Sequence, residues 1–273
     1  MKTIECANKQ EKIIHMYKDS YRILVEEEDL SPRNETINRV LSELVSTLSK
    51  PMKQSEADEI LCDEGIKQIR KDMLQKLSLA ECLMEEYYAQ TFRDKVQSIH
   101  DFGSFIYWDN YVELIKTEME ELKRINWDVN SFAFVGTGPL PLSPLLLKQE
   151  MGAEMTCLDL DVQAHEHGRR FIQDLDRDGT SDYILKDGAL HDYKGLDLVW
   201  IASLVPNKEE IVRRVFETNP EALVAIRSVD GIHQLLYEPV DATKFQTVSC
   251  EEAGRTVADS FIINSTVFYT YKQ

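Results

Sequence analysis

Glu81 lies at the edge of an apolar stripe. Ile69, Met73, Leu77, Ala80, Met84 and Tyr87 recur at helical spacing across residues 66–92, and Glu81 falls four residues after Leu77 and three before Met84. That places its carboxylate on a face shared with apolar and aromatic groups. A carboxylate partly stripped of water has a raised pKa and becomes a better general base. The same position also suits an acid that reaches out to water from the stripe's edge. Further on, Tyr107, Tyr111, Leu114 and Glu118 share one helical face. An aromatic stripe at this spacing is ordinarily core. Two tyrosines facing an acid are less ordinary, because each buried hydroxyl needs a partner.

The second group of chemistry-bearing residues lies in SFAFVGTGPLPLSPLLLKQEMGAEMTCLDLD, residues 131–161. The run Phe132-Ala133-Phe134-Val135 reads as a strand buried on both faces. Gly136 and Gly138, with Thr137 and Pro139, then make a tight turn that lets the backbone approach a ligand. Leu145, Leu146 and Leu147 begin a helix, and residues 155–160 make the next strand. Asp159 follows Gly138 by twenty-one residues and precedes Leu160. An acid at that distance can accept hydrogen bonds from ribose hydroxyls. Three occupants remain open for the turn. NAD wants a third glycine where Pro141 stands, and prolines restrict approach to a pyrophosphate. A ligand-free strand–helix turn is the second. S-adenosylmethionine is the third; it has an adenosine to place and no phosphates.

These residues need elements to hold them. The first half reads as helices. Ile13, Tyr17, Tyr21 and Leu24 mark one stripe, and Ile37, Val40, Leu41, Leu44, Val45 and Leu48 another. Ser31-Pro32 predicts a helix start with serine as the cap, and Ser55 with Asp58 predicts another. Residues 100–104 read as a turn, and the charged stretch 117–124 as solvated. From residue 131 short apolar runs alternate with helices. Strands are expected at 183–186, 196–203 and 222–227, helices at 162–175 and 208–217, and two late strands near 245–248 and 261–271. Such alternation implies a parallel doubly wound sheet. Gly136, Asp159, Asp187 and Ser203 would then gather at its carboxyl edge, where ligands bind. Asp187, ahead of Gly188 and Ala189, either accepts from an adenine amino group or simply forms an Asp-Gly turn. Residues 176–179 resemble a calcium loop only in part, lacking the bidentate acid, and read as a loop.

Composition narrows the function classes. The formal net charge is −17 over 273 residues, a field that repels nucleic acid and anionic membranes. Five scattered cysteines without a CxxC pair imply neither a disulfide framework nor a zinc site, and point to a reducing cytoplasm. No signal-like apolar core opens the chain, and no run approaches the length of a membrane span.

The proline spacing carries a resemblance. VGTGPLPLSPLLL is similar to the VGxGPLPL segment of nicotianamine synthases and their shorter bacterial relatives, the staphylopine-type synthases. Arg227, Ser228, Gly231, Leu236, Tyr237 and Pro239 resemble that family's R-S-x-x-G-x-x-x-x-L-Y-x-P segment. Ala80-Glu81 with Asp109-Asn110-Tyr111-Val112 is a looser match, and the first eighty residues match poorly. The resemblance implies an α/β fold, with an N-terminal helical bundle (1–128) over a C-terminal Rossmann-like domain (129–273) of the S-adenosylmethionine-dependent methyltransferase type. It implies transfer of the 3-amino-3-carboxypropyl (aminobutanoyl) group of S-adenosylmethionine to the amine of histidine, releasing methylthioadenosine, with no metal. Chain length favours one transfer over three. Glu81 would be the base, with Tyr107 or Tyr111 orienting the amine. Gly136, Thr137, Gly138, Pro139, Asp159, Leu160, Asp187, Gly188, Ala189 and Ser203 would hold the cofactor. Arg227 and Tyr237 would bind substrate, Arg227 by a bidentate grip on a carboxylate. His233 reads as a surface-loop histidine. A homodimer and a downstream opine dehydrogenase are the protein partners this reading admits. The rivals are a small-molecule methyltransferase, nicotianamine synthase proper and a non-catalytic ligand binder.

Overall fold

The computed structural model describes residues 2–176, 178–258 and 262–272, with the side chains of 2–8 and 246 outside the description. Five helices come first: α1 (Lys2–Glu26), α2 (Glu35–Leu48), α3 (Gln54–Leu61), α4 (Glu64–Phe92) and α5 (Trp108–Arg124). Strands and helices then alternate as β1 (Ser131–Val135), α6 (Leu142–Met151), β2 (Glu154–Asp159), α7 (Val162–Leu175), β3 (Ser181–Leu185), β4 (Leu198–Ile201), α8 (Lys208–Thr218) and β5 (Leu223–Val229). β6 (Cys250–Arg255) and β7 (Asn264–Tyr271) end the chain. The strands form one seven-stranded sheet in the order β3-β2-β1-β4-β5-β7-β6. β1 to β5 pair in parallel, and β7 runs antiparallel between β5 and β6. This is a Rossmann-like sheet of the methyltransferase type, and its strand order reverses between β1 and β4. Ligands of open α/β sheets sit at such a reversal, beyond the carboxyl ends of the strands.

Three apolar clusters hold the molecule. One joins α1 to α4 through Tyr17, Leu24, Ile37, Leu44, Ile60 and Met73, and it also takes in Ile232, Leu235 and Leu236 from beyond β5. The other two cover the two faces of the sheet, one around Phe132, Phe134 and Trp200, the other around Val135, Val199 and Ile226. Polar ties reinforce the first contact. The Tyr17 hydroxyl donates to the Leu235 carbonyl at 3.0 Å, and Arg70 Nε to the Gln234 carbonyl at 2.8 Å. The early helices are thereby fixed to the segment that follows β5. Among the described residues no helix is long and apolar enough to cross a membrane.

Several local expectations are corrected. Asn34, not Ser31, caps α2, its side chain accepting from the Thr36 N–H at 3.0 Å. Ser31 and Pro32 instead form a turn, in which the Ser31 N–H is held by Asp29 at 2.8 Å. α3 starts at Gln54, ahead of Ser55, and lacks a side-chain cap. The stretch 117–124 is not uniformly solvated: Glu118 is wholly buried and Glu121 nearly so. His233 is buried in a 3₁₀ turn (Gly231–Leu235), because that turn packs under the early helices. Residues Ala242–Val248 form a 3₁₀ turn where a strand was expected, and β6 follows it. Residues 259–261, which include the expected start of the last strand, lie outside the described residues. The loop at 176–179 has a structural role. Lys148 Nζ reaches Asp176 and Asp178 at 2.8 Å each, tying α6 to the approach to β3.

Candidate active site

A cleft of about 560 Å³ opens over the carboxyl ends of β1, β2 and β4 and is walled by α4 and α5. This size lies within the ordinary range for small-molecule sites. The turn after β1 forms its floor. Gly136 and Thr137 both donate their N–H to the Leu158 carbonyl, at 2.9 and 3.2 Å. The Gly138 N–H donates to Asp159 Oδ2 at 2.8 Å, and the Tyr183 hydroxyl to the Gly138 carbonyl at 3.0 Å. Both glycines have left-handed backbones, φ 79° at Gly136 and 72° at Gly138, which other residues adopt at a cost. Side chains of this chain already use the room they leave. A Cβ at Gly136 would collide with Val205, and one at Gly138 would lie 2.6 Å from Glu85 Oε2. Gly168 on α7 contributes as well, since a Cβ there would lie 2.8 Å from the Gly138 carbonyl oxygen. It stands where helix and turn meet, thirty residues beyond Gly138.

Two acids enter from α4. Glu81 and Glu85 are one helical turn apart, and both are half-buried in the cleft wall. Burial pushes the Glu81 carboxyl up to about 7, opposed by a hydrogen bond from Tyr237. Burial, and then the charge of Glu81, pushes Glu85 up to about 8, opposed by a hydrogen bond from Tyr111. The Tyr111 hydroxyl donates to Glu85 Oε1 at 3.2 Å. Each acid therefore has a tyrosine. Tyr107 also lines the cleft, pushed up to about 12 by burial and then by the charge of Glu81. Burial raises Tyr111 and Tyr237 well above the usual phenol range. All three remain neutral hydroxyls near neutral pH, able to donate to a carboxylate or an amine lone pair.

The remaining predicted residues fall around this centre. Gly136, Thr137, Gly138, Pro139, Asp159, Leu160, Asp187, Gly188, Ser203, Arg227 and Tyr237 all line the cleft. Ala189 does not; it stands behind Asp187 and donates its N–H to that carboxylate at 2.8 Å. Asp159 already braces the backbone, since its Oδ1 accepts from the Asp161 N–H at 3.0 Å while Oδ2 holds Gly138. Ser203 accepts from Asn264 at 2.9 Å. Behind it, Lys208 donates to the carbonyls of Ser203 and Val205 at 2.7 and 2.9 Å, closing the loop after β4. Burial lowers its ammonium to about 8.

Arg227 is not a free fork. Its Nε and Nη2 meet Glu118 Oε1 and Oε2 at 3.0 and 3.1 Å, and its Nη1 donates to Ser143 Oγ at 2.7 Å. Thr266 Oγ1 donates to the same Glu118 at 2.6 Å. The two-nitrogen edge expected to grip a substrate carboxylate is taken by a buried partner of this chain. One N–H on each terminal nitrogen is left for other use. Sequence reasoning missed Glu85, Glu118, Gly168 and Lys208. Glu85 had a readable signal, its place one turn after Glu81. Glu118 shares the tyrosine face, but the charged stretch around it points to solvent.

Among the described residues, no group of three or more His, Cys, Asp or Glu side chains is arranged to hold a metal ion. What the cleft offers is two acids of raised pKa, three neutral hydroxyls and a glycine turn at a sheet's switch point.

Comparison with known proteins bears on this geometry. The family model described as nicotianamine synthase protein matches residues 6–272. The match therefore extends through the early helices, which motif spacing alone had left unmatched. Nicotianamine synthase of Solanum lycopersicum is 29% identical over 271 residues, which cover 93% of this chain and 82% of the relative. The crystal structure of a glutamate-to-glutamine mutant of MtNAS in complex with S-adenosylmethionine superimposes with a TM-score of 0.82 at 21% identity, covering 95% of this chain and 98% of the other. MtNAS in complex with MTA and tNA also gives a TM-score of 0.82, at 20% identity, covering 96% of this chain and 98% of the other. The chain therefore belongs to the nicotianamine synthase family, enzymes of S-adenosylmethionine-dependent aminobutanoyl transfer.

Proposed function

We propose that this cleft moves one aminobutanoyl group from S-adenosylmethionine to the amine of histidine. The observation that carries the proposal is the placement of Glu81. It is a half-buried carboxyl with a pKa near neutrality, flanked by Tyr107 and Tyr237, in the cleft that ends on the glycine turn. An acceptor amine arrives protonated and cannot attack. Glu81 takes one proton from it, and the tyrosine hydroxyls hold the nitrogen in line. The nitrogen then attacks the methylene carbon bonded to the sulfonium. The new C–N bond forms as the C–S bond breaks, and the electron pair stays on sulfur. Neutral methylthioadenosine leaves. The adenosine end is assigned to Gly136, Asp159, Asp187 and Ser203 on the sheet, and the helical part, residues 1–128, supplies the cover and the base.

Histidine as acceptor rests on the likeness to the short bacterial members. The secondary amine so formed suits a later reductive condensation by an opine dehydrogenase. The second reading is nicotianamine itself, the product named for the tomato relative. Incubation with S-adenosylmethionine alone and with added histidine, followed by mass spectrometry, separates them. Histidine-dependent release of methylthioadenosine with a singly alkylated histidine supports the proposal. Nicotianamine from S-adenosylmethionine alone overturns the histidine assignment. S-adenosylhomocysteine as the released nucleoside overturns aminobutanoyl transfer.

A further inference from the structure

The mechanism above uses Glu81 and leaves Glu85 without a task, although Glu85 is held in the cleft by as much structure. Its Oε1 accepts from Tyr111, which comes from a different helix. Its Oε2 lies over the glycine turn, in the room that a Cβ on Gly138 would occupy, 2.6 Å away. The chain's left-handed glycine thus admits a carboxylate to the floor of the donor site. Glu81 and Glu85 also face different partners, Tyr237 and Tyr107 for the first, Tyr111 and the turn for the second.

The surrounding charge is lopsided. The cleft is lined by the acids Glu81, Glu85, Glu86, Asp159, Asp161 and Asp187, against the bases Lys186 and Arg227. Arg227 is already neutralised by Glu118. A carboxylate pressed against a backbone turn beside other acids is costly unless a proton or a cation joins it, and a cationic ligand can take the proton's place. Of the two nucleosides in the proposed reaction, one is cationic at sulfur and carries an ammonium; the other, the product, has neither.

We infer that Glu85, positioned by Tyr111 and by the absence of a side chain on Gly138, is the donor-binding residue that pairs with the positive charges of S-adenosylmethionine, its sulfonium and the ammonium of its aminobutanoyl group, and so distinguishes donor from spent nucleoside. The inference rests on the reading of the cleft as an aminobutanoyl-transfer site. Its consequence is directional. The bond-breaking step removes the group that Glu85 holds, and methylthioadenosine keeps only its adenosine contacts.

The test is calorimetric titration of wild type and Glu85→Gln with S-adenosylmethionine and, separately, with methylthioadenosine. A lost hydrogen bond to a charged group corresponds to an affinity change of about tenfold to a hundredfold. The variant is expected to lose that much for S-adenosylmethionine and to bind methylthioadenosine within twofold of wild type. Retained binding of methylthioadenosine also shows that the cleft is folded. Equal losses for both ligands would make Glu85 a support of the turn and overturn the inference, as would an unchanged affinity for S-adenosylmethionine. If wild type binds neither nucleoside, the reading of the cleft fails together with the inference; if wild type binds both and the variant does not separate them, only the assignment of Glu85 fails.

Discussion

Glu81→Gln is the most informative perturbation. The amide keeps the shape of the side chain and can still accept from the Tyr237 hydroxyl, but it cannot take a proton. Loss of a general base costs about 10²–10⁴-fold in rate, or roughly 3–5 kcal/mol of barrier. The wild-type profile follows from the direction of the pKa. Glu81 acts when ionised and its carboxyl lies at about 7, so kcat/KM should fall as the pH drops through neutrality. One pH unit below that value, only about a tenth of the base form remains. Glu85, one turn away at about 8, shares the titration, so the acid limb reports apparent values of the pair. In Glu81→Gln the share of this limb that belongs to Glu81 should vanish, and the low residual rate should rise slowly toward pH 10 as more acceptor amine becomes neutral in solution. The assay is steady-state release of methylthioadenosine from pH 6 to 10 at saturating acceptor. Near-normal kcat at pH 7 would remove Glu81 from the role of base. A raised KM with preserved kcat and no rescue at high pH would make it an ion-pair anchor instead.

Other perturbations test the frame around it. Gly138→Val forces a branched side chain onto a left-handed backbone, φ 72°, against Glu85; it should abolish donor binding while a cooperative unfolding transition persists, and unchanged affinity by calorimetry would refute the assigned turn. Glu118→Gln leaves the buried Arg227 guanidinium without its countercharge and should destabilise the protein by about 3–5 kcal/mol in denaturant unfolding; a change near zero would mean that the pair is not formed. Glu85→Gln should alter the pH dependence of stability. The wild-type carboxyl moves from 4.5, its ordinary value, to about 8 in the folded chain, so the stability tied to its proton is fully present below 4.5 and is lost as pH rises through about 8. Ligand-free Glu85→Gln should therefore match wild type near pH 5 and exceed it by on the order of 1–3 kcal/mol above pH 8, allowing for partial exposure. The opposite sign in paired denaturation curves would refute a buried, proton-holding Glu85.

The parts of this site that could be read in the sequence were those with local grammar. The run 132–135, the two glycines and the acid at 159 form one strand–turn–helix–strand unit, whose hydrogen bonds close within about thirty residues in sequence. Buried strands write themselves as short apolar runs, so the alternation after residue 131 was legible, and the sheet places those elements side by side. Partnerships made across the fold were not legible. Glu118 meets Arg227 across 109 positions, and Thr266 reaches it across 148. A charged stretch such as KTEMEELKR gives no local sign that one of its glutamates is wholly buried. The same limit hid the fate of Arg227, whose motif named the residue and not its partner. Helix starts failed for a smaller reason. Ser31 and Asn34 are rival starts for α2, as Lys53 and Ser55 are for α3, and at α2 the chain chose by turn geometry, with Asp29 holding Ser31 in the loop and leaving Asn34 to cap. The strand expected near 245–248 was displaced because Asp241 accepts from the Thr243 N–H at 3.0 Å and starts a 3₁₀ turn there.

The electrostatics of the cleft follow from where the buried Arg227 guanidinium is spent. A guanidinium left free at Arg227 would add a positive charge to the cleft and favour the ionised form of its carboxyls. Glu118 instead satisfies it from behind, with Ser143 and Thr266 completing the network. Glu81 is then left to burial, and Glu85 to burial and to the charge of Glu81, and both carboxyls rise into the neutral range. A carboxyl that is half protonated near pH 7 can take a proton from an ammonium without a large uphill step, whereas one pinned near 4 by an arginine could not. The buried pair at Glu118 and Arg227 thus does more than hold α5 to the sheet. It withholds a positive charge from the two acids, and a sulfonium or an ammonium brought by a substrate can supply that charge at the moment of binding. On this reasoning Glu118→Gln should act at a distance. It frees Arg227 toward the cleft, and the acid limb of the activity profile should move to lower pH in whatever folded fraction remains. A profile unchanged in that fraction would show that the two networks are independent.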